Sequence, residues 1–369
     1  MMVTAVSSGA RLPRRGCRRP CPIDGAVARD LRSVVLSGDP IPITSAAATN
    51  GNAPERVSSL TEIEAPPHAI YRLHLKTAGD RAKVIDYCLR ENVIGLGWGM
   101  NWSEGEHPAP RVFDEWREYA EEIWPRQRTW RFWPVIWMHD AEPGSLVWTR
   151  DLAGIYYLGQ IVGPWRYADA PLNRELDLTS LRDVRFHRIG SEGDVPGAVV
   201  RSYSNRGRAF QHVSDAGAAW YSAYLFAEKA GRALPEWRPS LMQVIDSLLG
   251  PFDVQDLIAA YLQVERGYIA LPARQVDSTL AYEYVLRHPS NGHLAVAQVK
   301  TGAQAVETDT LPTADEDLRC FIFSPRHNYP AVLPPNVVPL DVEDIAAFVR
   351  NNPNALPPVV QRWAVRATD

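Results

Sequence analysis

No apolar run in this chain approaches the roughly 20 residues that a membrane-crossing helix needs, so no helical membrane anchor is expected. Cysteine is scarce, four in 369 residues. Cys17 and Cys21 lack a second pair of ligands and make no zinc ribbon, and Cys88 and Cys320 sit inside apolar runs, where a buried thiol is the ordinary outcome. No disulfide framework follows, and a reducing cytoplasm suits the pattern. An excess of positive charge is missing too: the formal net charge is −4. Any nucleic-acid contact must therefore come from local basic patches and not from bulk charge. The arginine-rich opening, ARLPRRGCRRPC, is not followed by the apolar core of a secretory signal. The chain has no phosphate-cradling GxxxxGK, no His-Glu-x-x-His and no Ser-His-Asp order. NTPase, zincin and esterase chemistry therefore find no support.

What is present is ordinary for a globular protein: 46% hydrophobic and 22% charged residues. The length suggests two domains. Residues 1–66 are rich in Ala, Ser, Arg, Pro and Gly without periodicity, and a disordered leader is expected there. Residues 67–234 form the first expected domain, 235–239 a linker and 240–369 the second domain. In the first, IYRLHL alternates as a strand, DRAKVIDYCLRE reads as a helix and Asp114 to Glu122 as another. FWPVIWM, SLVWTRD, GIYYLGQIVG, VRFHRIG and AVVRSYS read as short strands punctuated by Gly, Pro and Asp, which suggests a small, partly open β-barrel with helices. From Asp215 the pattern turns helical. Ser240 can cap LMQVIDSLL, and the next helix carries Val254, Leu257, Ile258, Tyr261 and Leu262 as an apolar stripe that Gly267 stops. Strands YIALPAR, LRCFIFS and NVVPL and a closing helix VEDIAAFVR complete an α/β core with a mixed sheet. The expected class is α+β.

The stretch DSTLAYEYVLRHPSNGHLAVAQVKTG, Asp277 to Gly302, reads as a hairpin, because Asn291-Gly292 tolerates the positive φ of a tight turn. A two-residue loop places Glu283 opposite Lys300; a four-residue loop, Pro289 to Gly292, places it opposite Gln298. In either register strict alternation puts Glu283, Gln298 and Lys300 on one face. A carboxylate, an amide oxygen and an ammonium on one face suit metal-assisted phosphodiester cleavage. Here the chain resembles the Mrr-like PD-(D/E)XK restriction endonucleases, with Gln298-Val299-Lys300 as the Q-x-K form of E-x-K, over about residues 240 to 350. The resemblance implies Mg²⁺ (or Mn²⁺) held by Glu283 and Gln298, and Lys300 stabilising charge on the phosphate. It also implies a further acid from the first helix, Asp256, with Asp253 as the substitute. Asp277 has the right parity but pairs beyond Lys300. Gln298 removes one negative charge relative to Glu, which leaves open an active enzyme or a nuclease fold that binds without cutting.

Nine of the 12 tryptophans lie between Trp98 and Trp165. The pattern GLGWG, GSLVWTRD, GIYYLGQIVGPWRY resembles the PUA-like and EVE-like barrels over about residues 68 to 230, which implies an aromatic pocket for a flipped, modified base. Trp98, Trp148 and Trp165 are the rim candidates. Arg185, Arg188 and Arg206, with Arg201 and Arg208 nearby, are candidates to clamp phosphates. Together the two resemblances imply a Mg²⁺-dependent DNA endonuclease of restriction or anti-phage type acting on DNA, modified bases included, as a homodimer where both strands are cut. The alternatives are an inactive nucleic-acid-binding protein with a degenerate nuclease fold, and an RNA-directed nuclease.

Overall fold

Local signals set most of the elements. Asp80 accepts the backbone N–H groups of Ala82 and Lys83 at 2.9 and 3.2 Å, Asp215 accepts that of Ala218 at 2.8 Å, and Ser240 and Gln243 form a reciprocal capping box. Each satisfies donors that a helix start leaves without partners. The computed structural model describes residues 66, 68–75, 77–98, 109–123, 132–204, 208–271, 283–312 and 317–368; residues 1–65 of the expected leader lie outside them.

In chain order these residues form β1 (Ile70–Leu73), α1 (Arg81–Arg90), β2 (Val93–Leu96), α2 (Phe113–Ile123), α3 (Trp133–Asp140), β3 (Leu146–Arg150), β4 (Tyr156–Tyr167), α4 (Pro171–Glu175), β5 (Ser180–Gly190), α5 (Gly197–Ser204), β6 (Phe210–His212) and α6 (Ala216–Lys229). There follow α7 (Leu241–Gln243), which runs into a π-helical turn Val244–Leu248, then α8 (Pro251–Val264), β7 (Ile269–Leu271), β8 (Tyr284–Arg287), β9 (Leu294–Val299), β10 (Arg319–Phe323), β11 (Val337–Leu340), α9 (Val342–Asn351) and α10 (Pro358–Ala364). The first sheet has the order β2-β5-β4-β3-β1-β6 and the second β11-β10-β9-β8-β7. Both are mixed: β1 runs parallel to β3, and β9, β10 and β11 are mutually parallel, while the other pairs are antiparallel. The α+β class is as expected.

The barrel is not. Among the described residues the first sheet is open, with β2 and β6 at its edges. Two segments expected as strands are helices, so the sheet lacks the strands that closure would need. FWPVIWM becomes α3 because Pro134 falls in the first turn, where its missing N–H costs nothing, and Val135 and Met138 are buried. AVVRSYS becomes α5: the Pro196 carbonyl accepts the N–H groups of Val199 and Val200 at 2.9 and 3.1 Å, and Ala198, Val199, Val200 and Tyr203 are buried together. Tertiary packing overrides the strand preference of the valines. A Cβ on Gly197 would run into the Leu249 carbonyl, so only glycine lets α5 lie this close to the π-helical turn.

Helices cover both faces of the first sheet. On one, Leu73, Val147, Ile161 and Leu181 pack with Val84, Trp116 and Val135 of α1, α2 and α3. On the other, Ile70, Leu146, Trp148 and Leu158 share a single core with α6, the α8 stripe, and Ala295, Ala297, Phe321 and Phe323 of the second sheet. The far face of the second sheet carries a smaller cluster around Val296, Cys320, Ile322 and Val337. No helix among the described residues is long and apolar enough to cross a membrane.

Candidate active site

The hairpin adopts the four-residue loop. The His288 N–H donates to the His293 carbonyl at 2.9 Å and the Gly292 N–H to the His288 carbonyl at 2.8 Å, with Gly292 at φ 74°. Tyr284 then pairs with Ala297. One residue earlier the ladder steps out of register: the Glu283 N–H also goes to the Ala297 carbonyl, at 2.8 Å, so two residues face one, as in a β-bulge. The Glu283 side chain also reaches β9, its Oε2 accepting the Val299 N–H at 2.8 Å. On the other side of β9 the Lys300 N–H donates to the Phe323 carbonyl at 2.9 Å. The strand end that carries Glu283 and Lys300 is thus anchored from both neighbours.

Glu283 and Lys300 open on a cleft of about 820 Å³, whose walls include Arg201 of α5, Gln211 and His212 of β6, Phe252 and Gln255 of α8, and Arg326. Both sheets contribute to it. Burial pushes the Glu283 carboxyl above the usual carboxylate range, against the opposing pull of the Val299 N–H and of Lys300. Burial lowers the Arg201 guanidinium, opposed by Asp215 and Asp246. Arg201 Nη2 donates to the Asp246 carbonyl at 3.2 Å, while its buried Nη1 finds no hydrogen-bond partner among the described residues. Arg326 bridges Asp246 at 2.8 Å and Asp215 at 3.4 Å, so those two acids are already committed. Burial also lowers the pKa of His212, whose Nδ1 lies 2.9 Å from Ser214 Oγ. The cleft is polar and cationic on one wall, with a half-buried carboxylate at its end.

The remaining expected residues do not converge there. Gln298 is 2% exposed and pairs with Ile322; alternation along β9 places it on the Val296 face, and it does not line the cleft. Gln298 and Lys300 keep the same parity on β9, but Gln298 lies buried inside the sheet while Lys300 stands past its end, so of the three expected residues only Glu283 and Lys300 reach the cleft. Asp256 is exposed and accepts the Tyr284 hydroxyl at 3.0 Å, and Asp253 caps its own helix by accepting the Gly250 N–H at 2.9 Å. From that helix the cleft receives Phe252 and Gln255 instead.

The three tryptophans form no common rim. Trp148 is fully buried and its Nε1 donates to Ser222 Oγ at 3.0 Å. Trp165 is buried edge-on to Phe113, ring centroids 5.2 Å apart, and Trp98 packs half-buried against that same core at φ 64°. Arg185 and Arg188 are exposed on β5 and do not line the cleft. Arg208 lies over the rings of Trp133 and Trp137 at 4.3 and 4.5 Å. Arg206 and Asp277 lie outside the described residues.

Sequence reasoning did not single out Arg326, Asp246, Gln211 or His212. Nothing local marks them, since each gains its role from segments distant in the chain. Among the described residues one set of three metal-ligating side chains converges, His327, Asp341 and Glu343, and none of them lines the cleft. Compared with known proteins, the chain matches no family model, no curated protein and no solved structure.

Proposed function

We propose that the cleft hydrolyses phosphodiester bonds of DNA with the help of a divalent cation, in the manner of a restriction or anti-phage endonuclease. The observation that carries this reading is the pairing of Glu283 and Lys300 at one anchored strand end that opens on an arginine-bearing cleft. A carboxylate whose charge burial disfavours fits a hard, oxygen-seeking ion, because Mg²⁺ or Mn²⁺ would stabilise the ionised form. Such ions ordinarily take only one or two protein carboxylates, with water and substrate phosphate completing the shell. Glu283 would hold the ion; Gln298, buried one strand over, is the expected second donor and supports the reading less. When bound, the ion supplies a polarised water and neutralises charge on the phosphate.

The protein's own groups account for the rest. The Lys300 ammonium is placed to stabilise the added negative charge of the pentavalent phosphate. Arg201, with a guanidinium N–H that has no partner among the described residues, supplies a fixed positive wall for the backbone. His212, whose proton burial disfavours, can accept a hydrogen bond from substrate or water. Cutting both strands would call for two copies of the chain, testable by sedimentation with and without DNA.

A second reading, a protein that binds nucleic acid without cutting it, is favoured by the position of Gln298 and of the helix acids Asp253 and Asp256, none of which adds a ligand at the cleft. One experiment separates the readings: plasmid DNA, DNA with modified bases and structured RNA, each incubated with the protein in Mg²⁺, Mn²⁺ or chelator. Metal-dependent cutting of DNA supports the first reading, cutting of RNA alone redirects it, and binding with no cutting and no heat on Mn²⁺ titration replaces it with the second.

A further inference from the structure

A second concavity, of about 800 Å³, shares no lining residue with the cleft. α6 presents Tyr221 and Tyr224 to it, with ring centroids 6.3 Å apart and planes at 17°. The turn after α6 lays Trp237 along it, and Trp237 stacks at 7° on Trp220, which does not line the pocket and so sets the ring's orientation from behind. Trp363 closes the floor, edge-on to Tyr221 at 4.7 Å. The Thr368 N–H donates to the Pro239 carbonyl at 3.1 Å, tying the segment after α10 to the turn.

The charges around these rings identify the ligand class. Arg238 and Arg366 both line the pocket; Arg366 rides over Trp363 at 5.0 Å and its Nη1 donates to the Tyr221 hydroxyl at 3.0 Å. The two carboxylates on the walls balance the two guanidinium groups, but Arg366 already covers the Trp363 face that an aromatic cage would offer a cationic guest, while the guanidinium groups leave donors for an anion. They favour an anionic group on a planar ring. Glu228 and Glu236 on the same walls can accept from exocyclic amines or sugar hydroxyls. Ring, amine, hydroxyl and phosphate together describe a nucleotide, and the volume is within the usual range of small-ligand sites.

We propose that this pocket binds a free mononucleotide, its base stacked on Trp237 and Tyr224 and its phosphate met by Arg238 and Arg366. The proposal is independent of the nuclease reading. It is tested by titrating the full chain with AMP, adenosine and choline, followed by calorimetry and tryptophan fluorescence. AMP should bind saturably with a dissociation constant below about 1 mM, and more tightly than adenosine. Trp237→Ala should weaken AMP by roughly tenfold, the scale of one base–aromatic stack, while Trp237→Phe retains most of the affinity. Arg238→Gln, at an exposed position, should weaken AMP but not adenosine and keeps the test valid if Trp237→Ala misfolds. Lys300→Ala should leave AMP binding unchanged. Choline binding more tightly than AMP, no saturation, or equal AMP affinity in the Arg238→Gln protein would each overturn the assignment.

Discussion

Arg182 and Lys300 both carry positive charge on a strand, yet they are finished in opposite ways. Arg182 is 2% exposed, and its donors end on backbone: Nε on the Gly163 carbonyl at 2.9 Å, Nη1 on the carbonyls of Met138, His139 and Ala141. It closes the end of α3 and the irregular step in β4 between Ile161 and Trp165. Lys300 stops at a strand end beside a half-buried carboxylate, facing a cleft. Arg182, buried in the first sheet, ends on internal acceptors and serves stability; at the end of β9 polar groups are held in place but left facing solvent, the arrangement a binding site requires.

The largest test of that contrast is Lys300→Ala, which should lower metal-dependent cleavage by about 10²-fold or more, the scale of losing one transition-state donor, with the unfolding midpoint in urea unchanged. Arg182→Met should do the reverse. Removing a charged donor and stranding buried carbonyls should cost roughly 3 kcal/mol by denaturant titration, with DNA binding by the folded fraction intact. Trp148→Phe loses the bond to Ser222 and should cost about 1 to 2 kcal/mol. DNA affinity should not change, whereas a base-stacking rim would lose it.

The smallest effect is a pH dependence. Because burial raises the Glu283 carboxyl in the folded state, the folded protein holds that proton more tightly than the unfolded chain does. Its burial costs little in acid, and the cost grows as pH rises from the ordinary carboxylate range through the raised value. Glu283→Gln should therefore be more stable than the parent above that window and equal to it below, in thermal melts across pH. Cleavage by the parent should rise over the same window, since the ion needs the ionised carboxylate.

The hairpin, the helix starts at Asp80 and Asp215, the cap at Ser240 and the stripe on α8 were legible because each depends on residues within a few positions of one another. The α+β class followed from them. The open sheet was not legible: FWPVIWM and AVVRSYS have strand-like composition, and their burial against distant segments, added to Pro134 in the first turn of one and the Pro196 carbonyl at the start of the other, makes them helical. The site was half legible. Glu283 and Lys300 follow from hairpin spacing, but spacing says nothing of depth: Gln298, two residues before Lys300, is buried within the sheet and does not reach the cleft. The tryptophan pattern misled, since rings beside glycine and proline turns can equally fill a core, and here Trp148 and Trp165 do.

The single interior that joins Trp148 and Leu158 to Ala297 and Phe321 has a mechanical meaning. Snipping the backbone in the turn between Leu234 and Ser240 would yield two polypeptides that each expose a greasy half-surface complementary to the other. They should stay clasped as a nicked whole, and neither should survive when produced alone.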